Sequence, residues 1–162
     1  MIQVRAEYLN AMGKTKKDYF IFTDIEVSGH ADTLNLNHTT GIKICAGVSA
    51  CCYGLRRLID SEQFNMVIKN GYFHIWTDRR HDLKQQLDRD SVYALNTLIC
   101  QLYEIYCEYP MAFKSFDLVD VKEKIEDELK QRNNEQWGES EPKSKKRLQG
   151  MGFCTTLEET HH

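Results

Sequence analysis

No apolar run in the 162 residues approaches the roughly 18 that would cross a bilayer. That excludes a membrane-spanning helix and any membrane partner read from one. The opening "MIQVRAEYLN" is broken at once by a charged residue, lacks an apolar stretch and has no cleavage site. It is not a signal peptide, so a cytoplasmic protein is expected. Basic excess is missing too: the formal net charge is -3, and no direct nucleic-acid contact is expected. There is no internal repeat. None of the six cysteines forms a C-x-x-C pair, so no metal site and no cofactor is implied. In the cytosol these thiols stay reduced. Cys51, Cys52, Cys100, Cys107 and Cys154 read as small hydrophobes; only Cys45 has a special position.

What is present is a globular composition, 41% hydrophobic, of a length that suits one core. Residues 2–9 alternate, with Ile2, Val4, Ala6 and Tyr8 on one face. Residues 18–27 alternate again, with Ile21, Thr23, Ile25 and Val27 opposite Asp24 and Glu26. Together they predict an antiparallel hairpin across the polar turn "GKTKKD". Residues 28–44 read as loop. From Cys45 the period becomes helical through Val48, Cys52, Leu55 and Ile59. Asn70-Gly71 between apolar runs predicts a two-residue type I′ hairpin of strands 65–69 and 72–77. A second helix is expected from Ser91 to Glu108, stopped by Pro110. "FKSFDL" is a candidate for one more short strand.

The order β-β-α-β-β-α predicts an α+β two-layer sandwich, an antiparallel sheet with two helices on one face. The domain is expected to span 1–117. Residues 118–162 read as a charged C-terminal helix, with a thin stripe of Val121, Ile125 and Leu129, and a flexible tail carrying a small basic run.

The stretch "SGHADTLNLNHTTGIKICAGVSACC" carries the chemistry. His30 follows Gly29 at a strand end, and Cys45 is expected in the first turn of a helix. Unpaired N–H groups and partial positive charge at a helix start favour a thiolate. An imidazole beside it completes a Cys–His nucleophile, and spare N–H groups would hold an oxyanion. Gly29 would let the strand end approach the helix. His38 lies on the same loop and is a second candidate to reach the thiol.

The segments "VSGHA" and "ICAGVSA" resemble the ribosomal-processing cysteine protease family, Prp. "ALNTLICQLYEIYCEYP" is similar to that family's second helix, with its closing Tyr-Pro pair. The likeness covers about residues 1–117. It implies a cysteine endopeptidase with Cys45 as nucleophile and His30 as general base, and with Gly29 and Ala31 in the site segment. Ser49 matches a site serine one helical turn after the cysteine. It also implies a protein or peptide substrate, a homodimer, and a mobile loop at about 31–43. The substrate would be a ribosomal large-subunit protein trimmed of a short extension, or a phage head or scaffold protein. Ile42 stands where the family has an aspartate, and Lys43 follows; Asp32, at the other end of the loop, is the candidate substitute. The His30-to-Cys45 interval is about three residues longer than in the family, and Gly47 replaces an alanine. The alternative that Ile42 and Lys43 favour is the same fold as a catalytically impaired binding module for such a partner.

Overall fold

The computed structural model describes residues 1–11, 19–31, 37–78, 87–135 and 147–148. The "GKTKKD" turn, Asp32, most of the charged connection after Asp78 and Cys154 lie outside them. Among the described residues six strands form one sheet in the order β3-β4-β2-β1-β5-β6. They are β1 (Ile2–Ala11), β2 (Tyr19–Ser28), β3 (Asn65–Lys69), β4 (Tyr72–Trp76), β5 (Phe113–Asp120) and the two-residue β6 (Arg147–Leu148). The helices are α1 (His38–Gly54), α2 (Arg89–Glu108) and α3 (Lys122–Asn134).

The α+β class is as expected, and α1 packs against α2 over a common core. The sheet is mixed rather than wholly antiparallel. "FKSFDL" grows into the eight-residue β5, which runs parallel to β1 at its centre. A parallel pair needs a long crossover between its strands, and here β2 to α2 supply it. β5 leaves one edge of unpaired N–H and C=O groups, and Arg147–Leu148 pair with it. That segment belongs to the stretch that the sequence reads as a flexible tail.

β1 obeys its alternation: Ile2, Val4, Ala6 and Tyr8 are all buried in the core. β2 does not keep one phase. The register slips between Glu7 and Tyr8, so Thr23 is an extra residue between the partners Phe22 and Asp24. This bulge puts Phe22, not Ile21, into the core beside Ile25 and Val27. Thr23 is buried, and its hydroxyl donates to the Glu7 carbonyl at 3.4 Å.

The Asn70-Gly71 hairpin forms, but Gly71 alone takes positive φ, at 69°. Asn70 does not, so the turn is not type I′. α2 is capped by Asp88, whose carboxylate accepts from Ser91 N–H at 3.0 Å and its hydroxyl at 2.8 Å. The start therefore lies two residues before the expected Ser91.

The opposite face of the sheet is partly covered by α3. Val121 and Ile125 are buried there with Val119 and against Leu9, whereas Leu129 is exposed. Buried Glu7 accepts a hydrogen bond from Arg5 at 2.9 Å and lies 3.6 Å from Lys124 of α3. Beyond α3, His74 pairs with Asp24 at 3.0 Å and stacks on Trp76 at 4.4 Å. Burial holds the Asp24 carboxyl above its usual range, with His74 pulling the other way.

Leu98 is fully buried in the core, so Leu98→Ala is expected to cost about 2–5 kcal/mol in urea unfolding. Leu129→Ala should cost within about 0.5 kcal/mol. Burial and the Asp120 charge push the Tyr8 hydroxyl from 10.0 up to about 12. The unfolded chain releases that proton first. Tyr8 therefore leaves stability unchanged below pH 10 and lowers it as pH rises toward about 12. Tyr8→Phe should flatten that part of the alkaline profile, read from urea midpoints.

Candidate active site

The site forms where β2 ends. Gly29 has φ 91°, and a Cβ there would stand 2.2 Å from the Met1 carbonyl oxygen. Only glycine lets the strand end pass this close to the N-terminal backbone. The Gly29 N–H donates to the Gly71 carbonyl at 2.9 Å, which ties the strand end to the β3–β4 turn. His30 then turns outward and is exposed, while Ala31 is buried.

α1 begins earlier than its sequence suggested. Asn37 caps it, its side chain accepting from Thr40 N–H at 2.8 Å. Asparagine is among the best residues for that role. Cys45 consequently sits about two turns inside the helix rather than in its first turn. The buried stripe is Gly41, Ile44, Val48 and Cys52, and half-buried Cys45 lies at its border. The activation expected from the helix start does not apply, because that field fades within the first turn. The oxyanion role expected of free N–H groups beside Cys45 fails for the same reason: those groups are inside the helix ladder.

A different donor reaches the sulfur. The Ala31 N–H donates to Cys45 Sγ at 3.2 Å. A backbone N–H aimed at sulfur is of the kind that holds a thiolate. The donor comes from the His30 segment, so the "GHA" and "ICAG" motifs meet directly. Among the described residues no hydrogen bond joins the His30 ring to Cys45. The ring's far edge lies against Gly71 instead.

His30, Ala31, His38, Cys45 and Ser49 line one cavity of about 380 Å³. Ser49 is exposed one turn beyond Cys45, and His38 is exposed on the first turn of α1. Ile42 is 55% exposed at the rim, and Lys43 is exposed beside it. A larger hollow of about 620 Å³ runs between Arg57 and Thr97. It contains Asp60, Asp88 and Asp90 but neither a cysteine nor a histidine, and Asp88 is engaged in capping α2. Chemistry rather than size therefore selects the smaller cavity. Among the described residues no cluster of His, Cys, Asp or Glu has the arrangement of a metal site, and no helix is long and apolar enough to cross a membrane.

The structural neighbours of this chain include a ribosomal processing protease, Prp. A structure of the essential enzyme from S. aureus with a substrate peptide is 25% identical to this chain. The match covers 71% of this chain and 97% of that one, at TM-score 0.49. A second, with a covalently linked product peptide, is 27% identical over 72% of this chain and 98% of that one, at TM-score 0.48. SMU.848 from Streptococcus mutans is 14% identical over 74% and 95%, at TM-score 0.49. No protein-family model and no curated protein matches the sequence.

The sequence reading missed the β3–β4 hairpin as a wall of the site. Ile68, Lys69, Gly71 and Tyr72 all line the cavity. Asn70-Gly71 announced a turn, but nothing in it announced its neighbours.

Cys52 shares the cavity wall with Cys45, yet burial and the neighbouring Cys51 push its thiol from 9.0 to about 12. Burial raises Cys51 as well. Thiolate is the reactive form, so iodoacetamide at about pH 8 should modify Cys45 before Cys51 and leave Cys52 intact until the protein is unfolded. Peptide mass spectrometry reads the order directly.

Proposed function

We propose that this protein is a cysteine endopeptidase of the ribosomal-processing type, which trims a short extension from one specific protein. Support comes from one hydrogen bond above all, Ala31 N–H to Cys45 Sγ at 3.2 Å. It brings into one cavity the two segments that resemble the Prp family, the one carrying the nucleophile and the other the base.

In this reading Cys45 Sγ attacks the scissile carbonyl carbon and forms a tetrahedral intermediate. His30 takes the thiol proton and delivers it to the leaving amine. The acyl-thioester is then hydrolysed by a water that His30 deprotonates. The His30 ring is exposed on the cavity wall against Gly71, on the same segment as the Ala31 N–H that reaches the sulfur. Ser49 stands close enough along α1 to line the bound peptide. The substrate is a ribosomal large-subunit protein or a phage head or scaffold protein, met in the cytoplasm by a homodimer.

A second reading is a binding module on the same fold that engages the extension without cutting it. Two observations favour it: the His30 ring is not hydrogen-bonded to Cys45, and Ile42 presents an apolar side chain at the rim.

The test is incubation with a large-subunit ribosomal protein bearing its N-terminal extension, followed by intact-mass measurement. Cleavage is expected, with none by Cys45→Ala and a loss on the order of 10²–10⁴ for His30→Ala. Binding without any shortened product, equal for wild type and Cys45→Ala, would instead establish the module.

A further inference from the structure

The Asn70–Gly71 turn joins two outer strands, but in the fold it does more than reverse the chain. A Cβ on Gly71 would stand 2.6 Å from His30 Nε2, 3.1 Å from Cε1 and 3.3 Å from Cδ2. Those three atoms form the outer edge of the imidazole, so the ring rests edge-on against the bare α-carbon. The same residue's carbonyl accepts the Gly29 N–H at 2.9 Å. The turn is thereby fixed to the strand end that carries His30. Gly71 also has φ 69°, so the residue is required twice, once by the turn and once by the ring.

We propose that Gly71 is a positioning residue for His30. Its missing side chain is the seat that keeps the imidazole on the cavity wall, next to the Ala31 N–H that touches Cys45 Sγ. This rests on the Cys45–His30 reading of the site. The three atoms nearest a Cβ at position 71 all belong to the far end of the exposed His30 side chain, so the ring moves rather than the backbone. Side-chain torsions occupy discrete wells, so the displaced ring jumps to another rotamer instead of sliding by a few tenths of an ångström. Proton transfer needs heavy atoms within about 3.2 Å, and a misplacement of about 1 Å costs on the order of 10²-fold. The damage therefore falls on the site rather than on the fold.

The test compares wild type, Gly71→Ala, Gly71→Asn, His30→Ala and His30→Ala/Gly71→Asn. The readout is the iodoacetamide rate at Cys45 relative to exposed Cys107, from about pH 6 to about pH 9. Asparagine accepts positive φ better than alanine but carries the same Cβ, so the pair separates backbone strain from displacement of the ring. Wild-type Cys45 is expected to outpace Cys107 by at least about tenfold near neutral pH. Both Gly71 variants should lose that advantage, as His30→Ala does, and Gly71→Asn should change nothing further once His30 is gone.

If Gly71→Asn keeps the wild-type profile while His30→Ala loses it, the role of Gly71 is overturned and the dyad stands. If His30→Ala itself keeps the wild-type profile, the dyad falls and Gly71 with it. Thermal melts identify any variant that fails to fold. The unmodified protein then decides through the nuclear Overhauser contact between the His30 ring protons and the Gly71 α-protons, whose absence overturns the seat.

Discussion

The hydrogen bond from Gly29 N–H to the Gly71 carbonyl is the contact on which the site depends. It closes the end of β2 against the β3–β4 turn while the Met1 carbonyl presses from the other side. A Cβ at Gly29 would collide with backbone, which cannot step aside as a side chain can. Everything chemical follows from this clamp. It sets the direction in which His30 leaves the sheet, and it aims the next N–H, from Ala31, at the Cys45 sulfur.

That geometry replaces one source of thiolate stabilisation with another. A cysteine in a first helical turn draws on the unpaired N–H groups of its own helix. Cys45 cannot, because Asn37 starts α1 about two turns earlier. The donor is instead supplied across the fold by a strand end, and its position depends on tertiary packing rather than on helix chemistry. A site built this way is as rigid as the sheet that holds it. β2 lies between β4 and β1 in the interior of that sheet, and its Ile25 and Val27 are core residues.

The far face of the sheet obeys a different constraint. Glu7 is a buried carboxylate, which is tolerable only with compensation, and Arg5 and Lys124 provide it. Lys124 lies on α3, so the charge that β1 buries also helps to hold that helix in place. Ile125 adds the apolar half of the contact. The Lys124–Glu7 pair, this small apolar cluster and the Val121 N–H, which donates to the Tyr8 carbonyl at 3.0 Å, thus join α3 to the sheet.

How much of this was legible in the residues depended on the range of the signal. Alternation in β1, the stripe of α2, the Asn70-Gly71 reversal and the "GHA" and "ICAG" motifs are local patterns, and each states its own structure. The bulge at Thr23, the burial of Glu7 and the parallel seat of β5 are not local. Each is set by a partner strand or helix far along the chain. The early start of α1 hid because Asn and Thr are as common in loops as at caps. By itself the sequence determined the main elements, the core faces of β1 and α2 and the two residues to suspect, because periodicity and side-chain chemistry are properties of a short stretch. Only the tertiary structure decided that Ala31 touches the sulfur and that Gly71 lies beneath the histidine. Those contacts join residues 14 and 41 positions apart, and no short-range pattern records what a distant turn is folded against.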